Sequence, residues 1–418
     1  MAMQTEVEAA GRRVLQRLEE AGHAAYFVGG YVRDRLLGRP IHDIDIATSA
    51  RPETVMALFP DSLPTGIRHG TVTVRVDGHA FEVTTFRVER GYSDARHPDE
   101  VVFVDRIEED LARRDFTVNA MALDRRGRLV DPFGGRDDLA ARRIRCVGDP
   151  MRRFAEDGLR LVRAVRFAVQ LDFAIEPQTW EALQACRATL RPVAHERIAD
   201  ELDKIMASPN PGRGFVLLFD SRLFAADDLA PYLAPEAWPD LTVLAVPEGV
   251  GTRWALLAVL LGWTEQEAES FARALRFSRE RIDEVTTLVG QARQACPGEG
   301  ATRHWQQLLL AHGLSRCLAL ADLCVAREAA GRPNALEQER AAAARLRERV
   351  RAIYATMPVH SLKDLAVDGR DLLEAIGRPP GPWVGRLLRE LLTRVACGEL
   401  PNDKERLLEY ARERGDGT

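Results

Sequence analysis

The sequence lacks long hydrophobic runs, low-complexity tracts and C-x-x-C pairs. No uninterrupted apolar stretch approaches the roughly 20 residues that a bilayer-spanning helix needs, which argues against a membrane protein. Residues 1–22 have the spacing of an amphipathic helix and include acidic side chains, unlike a signal or transit peptide. We therefore expect a cytoplasmic protein with no membrane partner.

Cysteines are few and scattered. Their spacing favours reduced thiols over a disulfide framework or a zinc site. The six cysteines are Cys146, Cys186, Cys296, Cys317, Cys324 and Cys397.

Positive charge does not dominate the composition either, because the formal net charge is −5. A surface for nucleic acid can therefore arise only from local clustering of basic side chains. Arginines are dense between residues 113 and 166. This segment is where we expect a polyanion to bind.

The chain is too long for one ordinary core. A length of 418 residues predicts two to four domains. Short strand-like segments alternate with helices up to about residue 171, and helical patterns dominate from residue 172 onward.

The densest chemical signal lies in residues 24–49. A strand-like run at residues 26–28 leads into Gly29 and Gly30, where the chain can turn and its backbone can approach a ligand closely. Arg33 follows in a short helix-like segment, and a guanidinium group there can bind phosphate. The pattern indicates a phosphate-binding turn.

Two aspartates lie just beyond this turn. Asp43 and Asp45 are separated by one residue, so on a strand both side chains project from the same face. A cation would relieve their repulsion, and such hard oxygen ligands suit Mg²⁺. Glu82, in the second strand of a hairpin predicted around Asp77 and Gly78, could bring a third carboxylate across the sheet. The alternative is that these carboxylates are merely solvated on exposed strands.

A second charged segment precedes an apolar run. Arg113 and Arg114 can each donate two hydrogen bonds to a phosphate group. Asp115 can accept a hydrogen bond from a ribose hydroxyl or hold an arginine in place. Asn119 follows within the apolar run and is expected to be buried. The alternative is a salt-bridged helix end.

Residues 151–171 have the period of one strong helix. Asp157 and Arg160 lie three positions apart on its polar stripe, with Arg163 one turn further. They form either an exposed ion pair, worth less than about 1 kcal/mol, or a pair that offers donors and acceptors to a nucleobase.

These segments, taken in order, resemble the motifs of the class II tRNA nucleotidyltransferases, the CCA-adding enzymes of the polymerase-β superfamily. Five motifs in sequence are far more specific than any one of them, and the resemblance covers essentially the whole chain. The matching segments are residues 29–34 with 43–45, 113–120, 131–135, 156–160 and 163–179.

The resemblance implies that Asp43 and Asp45 ligate two Mg²⁺ ions, with Glu82 as a further candidate catalytic carboxylate. One ion would activate the tRNA 3′-hydroxyl. The other would steady the triphosphate during in-line displacement at the α-phosphorus, with pyrophosphate leaving.

The resemblance also implies a nucleotide site for CTP and ATP. The glycine turn and Arg33 would hold the triphosphate, and Arg114 with Asp115 would contact ribose and phosphate, rejecting deoxynucleotides through the 2′-hydroxyl. Asp157 and Arg160 would pair with the base edge in place of a nucleic-acid template. The ten implied nucleotide-binding residues are Gly29, Gly30, Arg33, Arg114, Asp115, Asn119, Asp157, Arg160, Arg163 and Arg166.

Base chemistry agrees with a single Asp–Arg pair reading two nucleotides. Cytosine and adenine each present an amino donor beside a ring-nitrogen acceptor. Uracil and guanine do not, and they would leave buried groups unpaired.

The fold implied is α+β. A nucleotidyltransferase head with a mixed β-sheet would occupy residues 1–145, followed by a helical neck at 146–207, a helical body at 208–275 and a tRNA-binding helical tail at 276–418. The acceptor arm of tRNA would be recognised along a positive groove by its shape and backbone.

The polar loop at residues 88–105 bears on which nucleotides are added. In the family, an intact loop here goes with addition of the terminal A, and residues 92–98 look complete, so we expect full CCA addition. The alternatives are a CC-only or A-only relative, a poly(A) polymerase, a small-molecule nucleotidyltransferase and, more remotely, a non-catalytic RNA-binding module.

Overall fold

The computed structural model describes residues 2–41, 43–91, 100–225, 228–234, 238–294, 296, 300–332 and 336–415. The chain forms two compact units, Met1–Glu236 and Ala237–Thr418. The first unit contains the β-sheets together with helices, and the described part of the second is helical. The predicted α+β class is confirmed.

A mixed sheet forms the centre of the first unit. Its order is β3-β4-β5-β2-β1-β8-β9, with β2 and β5 parallel and the other neighbours antiparallel. Two small pairs, β6-β7 and β10-β11, lie outside it. The strands are β1 Ala25–Val28, β2 Asp45–Thr48, β3 Ser62–Gly66, β4 Thr71–Val76, β5 His79–Thr85, β6 Arg87–Arg90, β7 Glu100–Phe103, β8 Ala122–Leu123, β9 Leu129–Val130, β10 Arg143–Ile144 and β11 Ala174–Ile175.

Helices cover this sheet and continue the first unit. The helix predicted at the N-terminus is present, and its apolar face is buried through Ala10, Val14, Leu15 and Leu18. The helices are α1 Ala2–Glu20, α2 Gly30–Leu36, α3 Pro52–Leu58, α4 Ile107–Ala112, α5 Gly135–Ala140, α6 Pro150–Glu156, α7 Leu159–Leu171, α8 Pro177–Ala185, α9 His195–Met206, α10 Pro211–Asp220 and α11 Ala230–Leu233.

The hairpin predicted around Asp77 and Gly78 is confirmed as β4 and β5. Both turn residues have positive φ, 52° and 78°, which a tight turn between twisted strands requires. Val72, Val74, Phe81 and Val83 alternate into the core, so the period-two pattern had the correct register.

The single helix predicted over residues 151–171 is wrong, because the chain breaks between α6 and α7. Asp157 has extended backbone angles (φ −146°, ψ 109°). Gly158 packs so closely on the 3₁₀ turn Arg187–Leu190 that an added Cβ would lie 2.0 Å from the carbonyl oxygen of Thr189. Helical periodicity continues through the break and therefore conceals it.

The second unit consists of helices packed on one another. One of them, α15 (Thr302–Ala329), is long and apolar enough to cross a membrane by length and composition alone. It leaves helical geometry at Gly313 and buries Asp322, which accepts a hydrogen bond from Arg347 on α16 at 2.6 Å, as in the core helix of a globular domain. The helices are α12 Val250–Leu260, α13 Glu265–Ala274, α14 Arg279–Gln294, α15 Thr302–Ala329, α16 Leu336–Thr356, α17 Gly369–Ile376, α18 Pro382–Ala396 and α19 Lys404–Gly415.

The prediction that all cysteines are reduced is wrong for one pair. Cys296 and Cys324 form a disulfide in the second unit, with their Cα atoms 5.4 Å apart. The two residues are 28 positions apart and not in a recognisable motif. Only the tertiary structure, which places Cys296 beside Cys324 on α15, brings them together.

The break at Gly158 leads to a stability prediction. We expect Gly158→Ala to destabilise the first unit by roughly 1–3 kcal/mol, because the added methyl overlaps the Thr189 carbonyl. The thermal unfolding midpoint, followed by circular dichroism, should fall.

A matched control is Gly385→Ala within α18. A Cβ there meets only Arg389 Nη1 at 3.8 Å, and alanine in a helix interior should be stabilising by roughly 0.5–1 kcal/mol. An unchanged midpoint for Gly158→Ala would show that the break does not depend on this close contact.

Candidate active site

The turn between β1 and α2 opens the site. Gly29 has φ +67°, a conformation that favours glycine. A Cβ on this residue would lie 3.1 Å from Arg114 Nη1 and 3.5 Å from Asp45 Oδ2. Glycine therefore lets the side chains of Arg114 and Asp45 both approach the turn, next to Gly30, the first residue of α2.

The paired aspartates lie at the start of β2. The strand begins at Asp45, so Asp43 precedes it instead of lying in it as predicted, yet both side chains are exposed while Ile44 and Ile46 are buried. Asp45 faces Glu82 across the parallel β2–β5 pair.

The pKa of Asp45 is raised. The surrounding protein displaces water from its carboxylate, Arg114 opposes this effect, and Glu82 and Asp43 add repulsion. A pair of oxygen ligands with excess negative charge is a donor set that a divalent cation fits.

Glu82 is the third carboxylate close to the paired aspartates. Among the described residues, no three His, Cys, Asp or Glu side chains lie close enough together to hold a metal ion. Glu82 lies opposite Asp45 on the neighbouring strand, and its role as a further catalytic carboxylate remains a prediction.

A hydrogen-bonded chain links the turn to the second charged segment. Arg33 Nη1 donates to Asn119 Oδ1 at 2.8 Å, and Asn119 Nδ2 donates to Asp115 Oδ1 at 3.3 Å. Asp34 accepts two further bonds from Arg33, at 3.0 and 2.7 Å. Both ends of Asn119 are thus engaged, which explains why this polar residue is buried.

Asp115 is almost fully buried and holds Arg163. Its Oδ2 accepts from Arg163 Nε at 2.9 Å and Nη2 at 2.6 Å, while its Oδ1 accepts from the backbone of Phe116. Burial alone would raise its pKa, but Arg163, Arg160 and the backbone N–H of Phe116 together outweigh burial, and the pKa is lowered. In this structure Asp115 anchors an arginine, the second of the two roles that the sequence allowed.

Three arginines surround one aromatic ring at the next turn of α7. The guanidinium carbons of Arg33, Arg163 and Arg166 lie 5.3, 5.4 and 3.8 Å from the centroid of Phe167. Glu201 on α9 is buried beside Arg166 and forms an ion pair with it. The ring and the carboxylate together reduce the repulsion between the arginines.

The two residues expected to read the base do not pair with each other. Asp157 accepts from Arg197 Nη2 at 2.8 Å, and Arg160 Nη1 donates to Glu156 at 2.6 Å. The i,i+3 ion pair that a continuous helix would have allowed is absent because the helix breaks at Asp157. Each group is instead held by a separate partner.

These groups line one cavity of about 470 Å³, a size suited to a small-molecule ligand. All ten predicted nucleotide-binding residues line it, together with Asp45. Seven arginines and three aspartates among the lining residues make it suited to a polyanion. Asp43 and Glu82 are not among them. Arg113, which the sequence also singled out for phosphate binding, lines the cavity as well. The lining residues that the site prediction missed are Leu159, Phe167 and Arg197.

Arg197 is the most informative of these omissions. It lies 40 residues from Asp157, in the first turn of α9, where no periodicity connects it with the site. The only available signal was its basic charge. Residues 92–99 of the predicted specificity loop lie outside the described residues.

Family models match three parts of the chain. The Poly A polymerase head domain matches residues 25–145, the probable RNA and SrmB-binding site of polymerase A matches 172–237, and the putative tRNA nucleotidyltransferase domain 2 matches 249–411.

Curated relatives match almost the whole chain. The CCA-adding enzyme of Geobacillus stearothermophilus is 40% identical over 408 residues, covering 96% of both chains. That of Levilactobacillus brevis is 39% identical over 403 residues, covering 95% of this chain and 96% of the relative.

Solved structures of CCA-adding enzymes also match almost the whole chain. The Bacillus stearothermophilus CCA-adding enzyme, solved in complex with CTP, has a TM-score of 0.85 at 37% identity, with 98% of each chain covered. The Thermotoga maritima enzyme, solved with tRNA, shares the fold at 21% identity and a TM-score of 0.60. With nearly full-length matches of this kind, the chain belongs to the family of CCA-adding enzymes, the tRNA nucleotidyltransferases.

Proposed function

We propose that this chain adds C, C and A to tRNA 3′ ends from CTP and ATP, using its own side chains instead of a nucleic-acid template. The observation that carries the proposal is the arginine-lined cavity, where Asp157 and Arg160 are each fixed by a separate ion pair. The relative solved with CTP supports assigning this cavity to a nucleoside triphosphate.

In this proposal the triphosphate lies at the β1–α2 turn. Gly29 and Gly30 allow close approach of the backbone, while Arg33 and Arg114 supply charge-assisted donors to phosphate oxygens. Asp115 and Asn119 keep Arg33 and Arg163 in fixed directions through the hydrogen-bonded chain, and Asp110 holds Arg114. The negative charge on the leaving pyrophosphate is thereby stabilised by groups that need no reorganisation.

The family generally uses a divalent metal ion, and we propose Mg²⁺ held by Asp43 and Asp45. When bound, it supplies Lewis-acid stabilisation for attack of the tRNA 3′-hydroxyl on the α-phosphate. Glu82 contributes negative charge beside Asp45 and keeps that position favourable for a cation.

Base selection is assigned to Asp157 and Arg160. A carboxylate can accept from the amino group, and a guanidinium can donate to the ring nitrogen, of either cytosine or adenine. Uracil and guanine would place donor against donor or acceptor against acceptor, which is costly in a partly buried site.

The helical regions are proposed to bind the rest of tRNA in the cytoplasm. The division into head, neck, body and tail at residues 145, 207 and 275 remains a prediction. Recognition through shape and phosphates would make tRNA affinity fall steeply with salt.

The direct assay is incorporation with Mg²⁺ on tRNA transcripts that lack CCA, end in C, or end in CC. CTP and ATP would be supplied singly and together. Three additions ending in A are expected on the first transcript. Arrest after CC, addition of A alone, or unlimited A addition would instead indicate a specialised relative or a poly(A) polymerase.

We expect Asp45→Ala, or Asp43→Ala, to reduce addition by roughly 10³-fold, because the site loses a carboxylate that would hold the divalent cation beside the reacting phosphate. Affinity for tRNA, measured by filter binding, should change little. Asp61→Ala removes the same charge from an exposed position outside the cavity and serves as the control. Full activity in both site variants would remove the metal assignment.

We expect Asp157→Ala with Arg160→Ala to lower the preference for CTP over UTP at least tenfold, since no group would remain to reject uracil. The ratio of kcat/KM values on the transcript lacking CCA measures this preference. Arg187→Ala, an exposed arginine in the same unit, should keep wild-type selectivity. Wild-type selectivity in the double variant would disprove base reading by this pair.

A further inference from the structure

Arg113 lines the cavity but takes no part in the roles assigned above. The sequence suggested that its guanidinium binds phosphate beside that of Arg114. Its side chain is instead engaged by two carboxylates of the protein, Glu89 and Asp110. A function for Arg113 must therefore come from what these contacts hold in place.

The first contact is with the stem of the β6–β7 hairpin. Arg113 Nη1 donates to Glu89 Oε1 at 2.9 Å, and the same oxygen accepts from Arg87 Nε at 2.9 Å. The Glu89 side chain is only 8% exposed. A buried carboxylate shared by two guanidinium groups fixes both more firmly than a surface ion pair would.

The second contact is with Asp110 in α4. Its Oδ1 accepts from Arg113 Nε and Nη2 at 3.0 and 2.9 Å, and also from the backbone nitrogen of Arg87 at 3.3 Å. Its Oδ2 accepts from Arg114 Nη2 at 3.3 Å. Asp110 therefore joins the hairpin stem to both arginines of the segment.

The backbone carbonyl of Arg113 contacts the segment that carries Arg160. Its carbonyl oxygen accepts from Arg160 Nη2 at 3.3 Å and from Arg153 Nη1 at 3.2 Å. Arg160 Nη1 is held by Glu156 and by the carbonyl oxygen of Arg153, at 2.6 and 3.1 Å, so the Arg113 carbonyl adds a fixed point at the other terminal nitrogen of the same guanidinium. Two fixed points determine the plane of a guanidinium, whereas one leaves it free to rotate.

We propose that Arg113 is a positioning residue for nucleotide selection, tying the guanidinium of Arg160 to the stem of the β6–β7 hairpin through the ion pair with Glu89. This inference rests on the proposed function, because it takes Arg160 as a base-reading group. Removing the charge of Glu89 frees the Arg113 side chain on one side and lets its carbonyl shift relative to Arg160.

The charges around the pair agree with this role. Burial and the neighbouring Arg113 lower the pKa of Arg87, and Glu89 and Asp110 counteract them. The carboxylates therefore keep two adjacent guanidinium groups charged and close together, so loss of one carboxylate leaves them to repel each other.

The test is Glu89→Gln, which keeps the size of the side chain and removes its charge. We expect the ratio of kcat/KM for CTP over UTP to fall roughly tenfold, within the range for residues that act through others. The KM for tRNA should stay unchanged. An equal decrease in kcat/KM for every nucleotide would overturn the proposal, because a general structural defect has that effect.

Glu100→Gln is the matched control. It removes the same charge from an exposed position on the same hairpin and should leave selectivity unchanged. If Glu89→Gln does not fold, judged by its thermal unfolding curve, Glu89→Asp takes its place. That variant keeps the charge but withdraws it by one methylene, and wild-type selectivity in it would then overturn the proposal.

A double variant separates this inference from the proposed function. If Glu89 acts through Arg160, Glu89→Gln should cause no further loss of selectivity in an Arg160→Met background. Independent, multiplicative losses would overturn the positioning role alone. Wild-type selectivity in Arg160→Met by itself would overturn the base-reading assignment and this inference with it.

Discussion

The cavity depends on keeping arginines close together despite their mutual repulsion. Carboxylates lying behind them make this possible, as Asp115 does for Arg163 and Glu156 for Arg160. A guanidinium fixed from behind points its remaining donors in a constant direction, which a site that selects its ligand by hydrogen bonds requires. Because buried ion pairs carry a desolvation cost, the arrangement is better explained by placement of charge than by stability.

The second constraint is the break between α6 and α7. Gly158 packs against the carbonyl of Thr189, and the extended Asp157 turns its carboxylate toward Arg197. In an unbroken helix, Asp157 and Arg160 would neutralise each other. The break separates them, so that a base edge can meet an acceptor and a donor that are each already oriented.

Much of the fold follows from local sequence, because local physics controls those parts. The Asp77-Gly78 turn and the alternation around it define a hairpin with its register, and glycine at position 29 marks a turn with positive φ. The ten predicted nucleotide-binding residues line one cavity because the motifs that contain them occur on adjoining elements. Incorrect predictions arose where segments that are distant in the sequence contact each other, as in the disulfide between Cys296 and Cys324.

The sequence by itself determined which residue types are available and their local geometry: a glycine turn, paired aspartates and an arginine-rich segment. It could also indicate the family, because the order of motifs is a property of the sequence. Only the tertiary structure decided the partners of each charge, such as Arg197 for Asp157 and Glu89 for Arg113. These pairings depend on which surfaces pack together, and a long-range ion pair leaves no periodic signal in the chain.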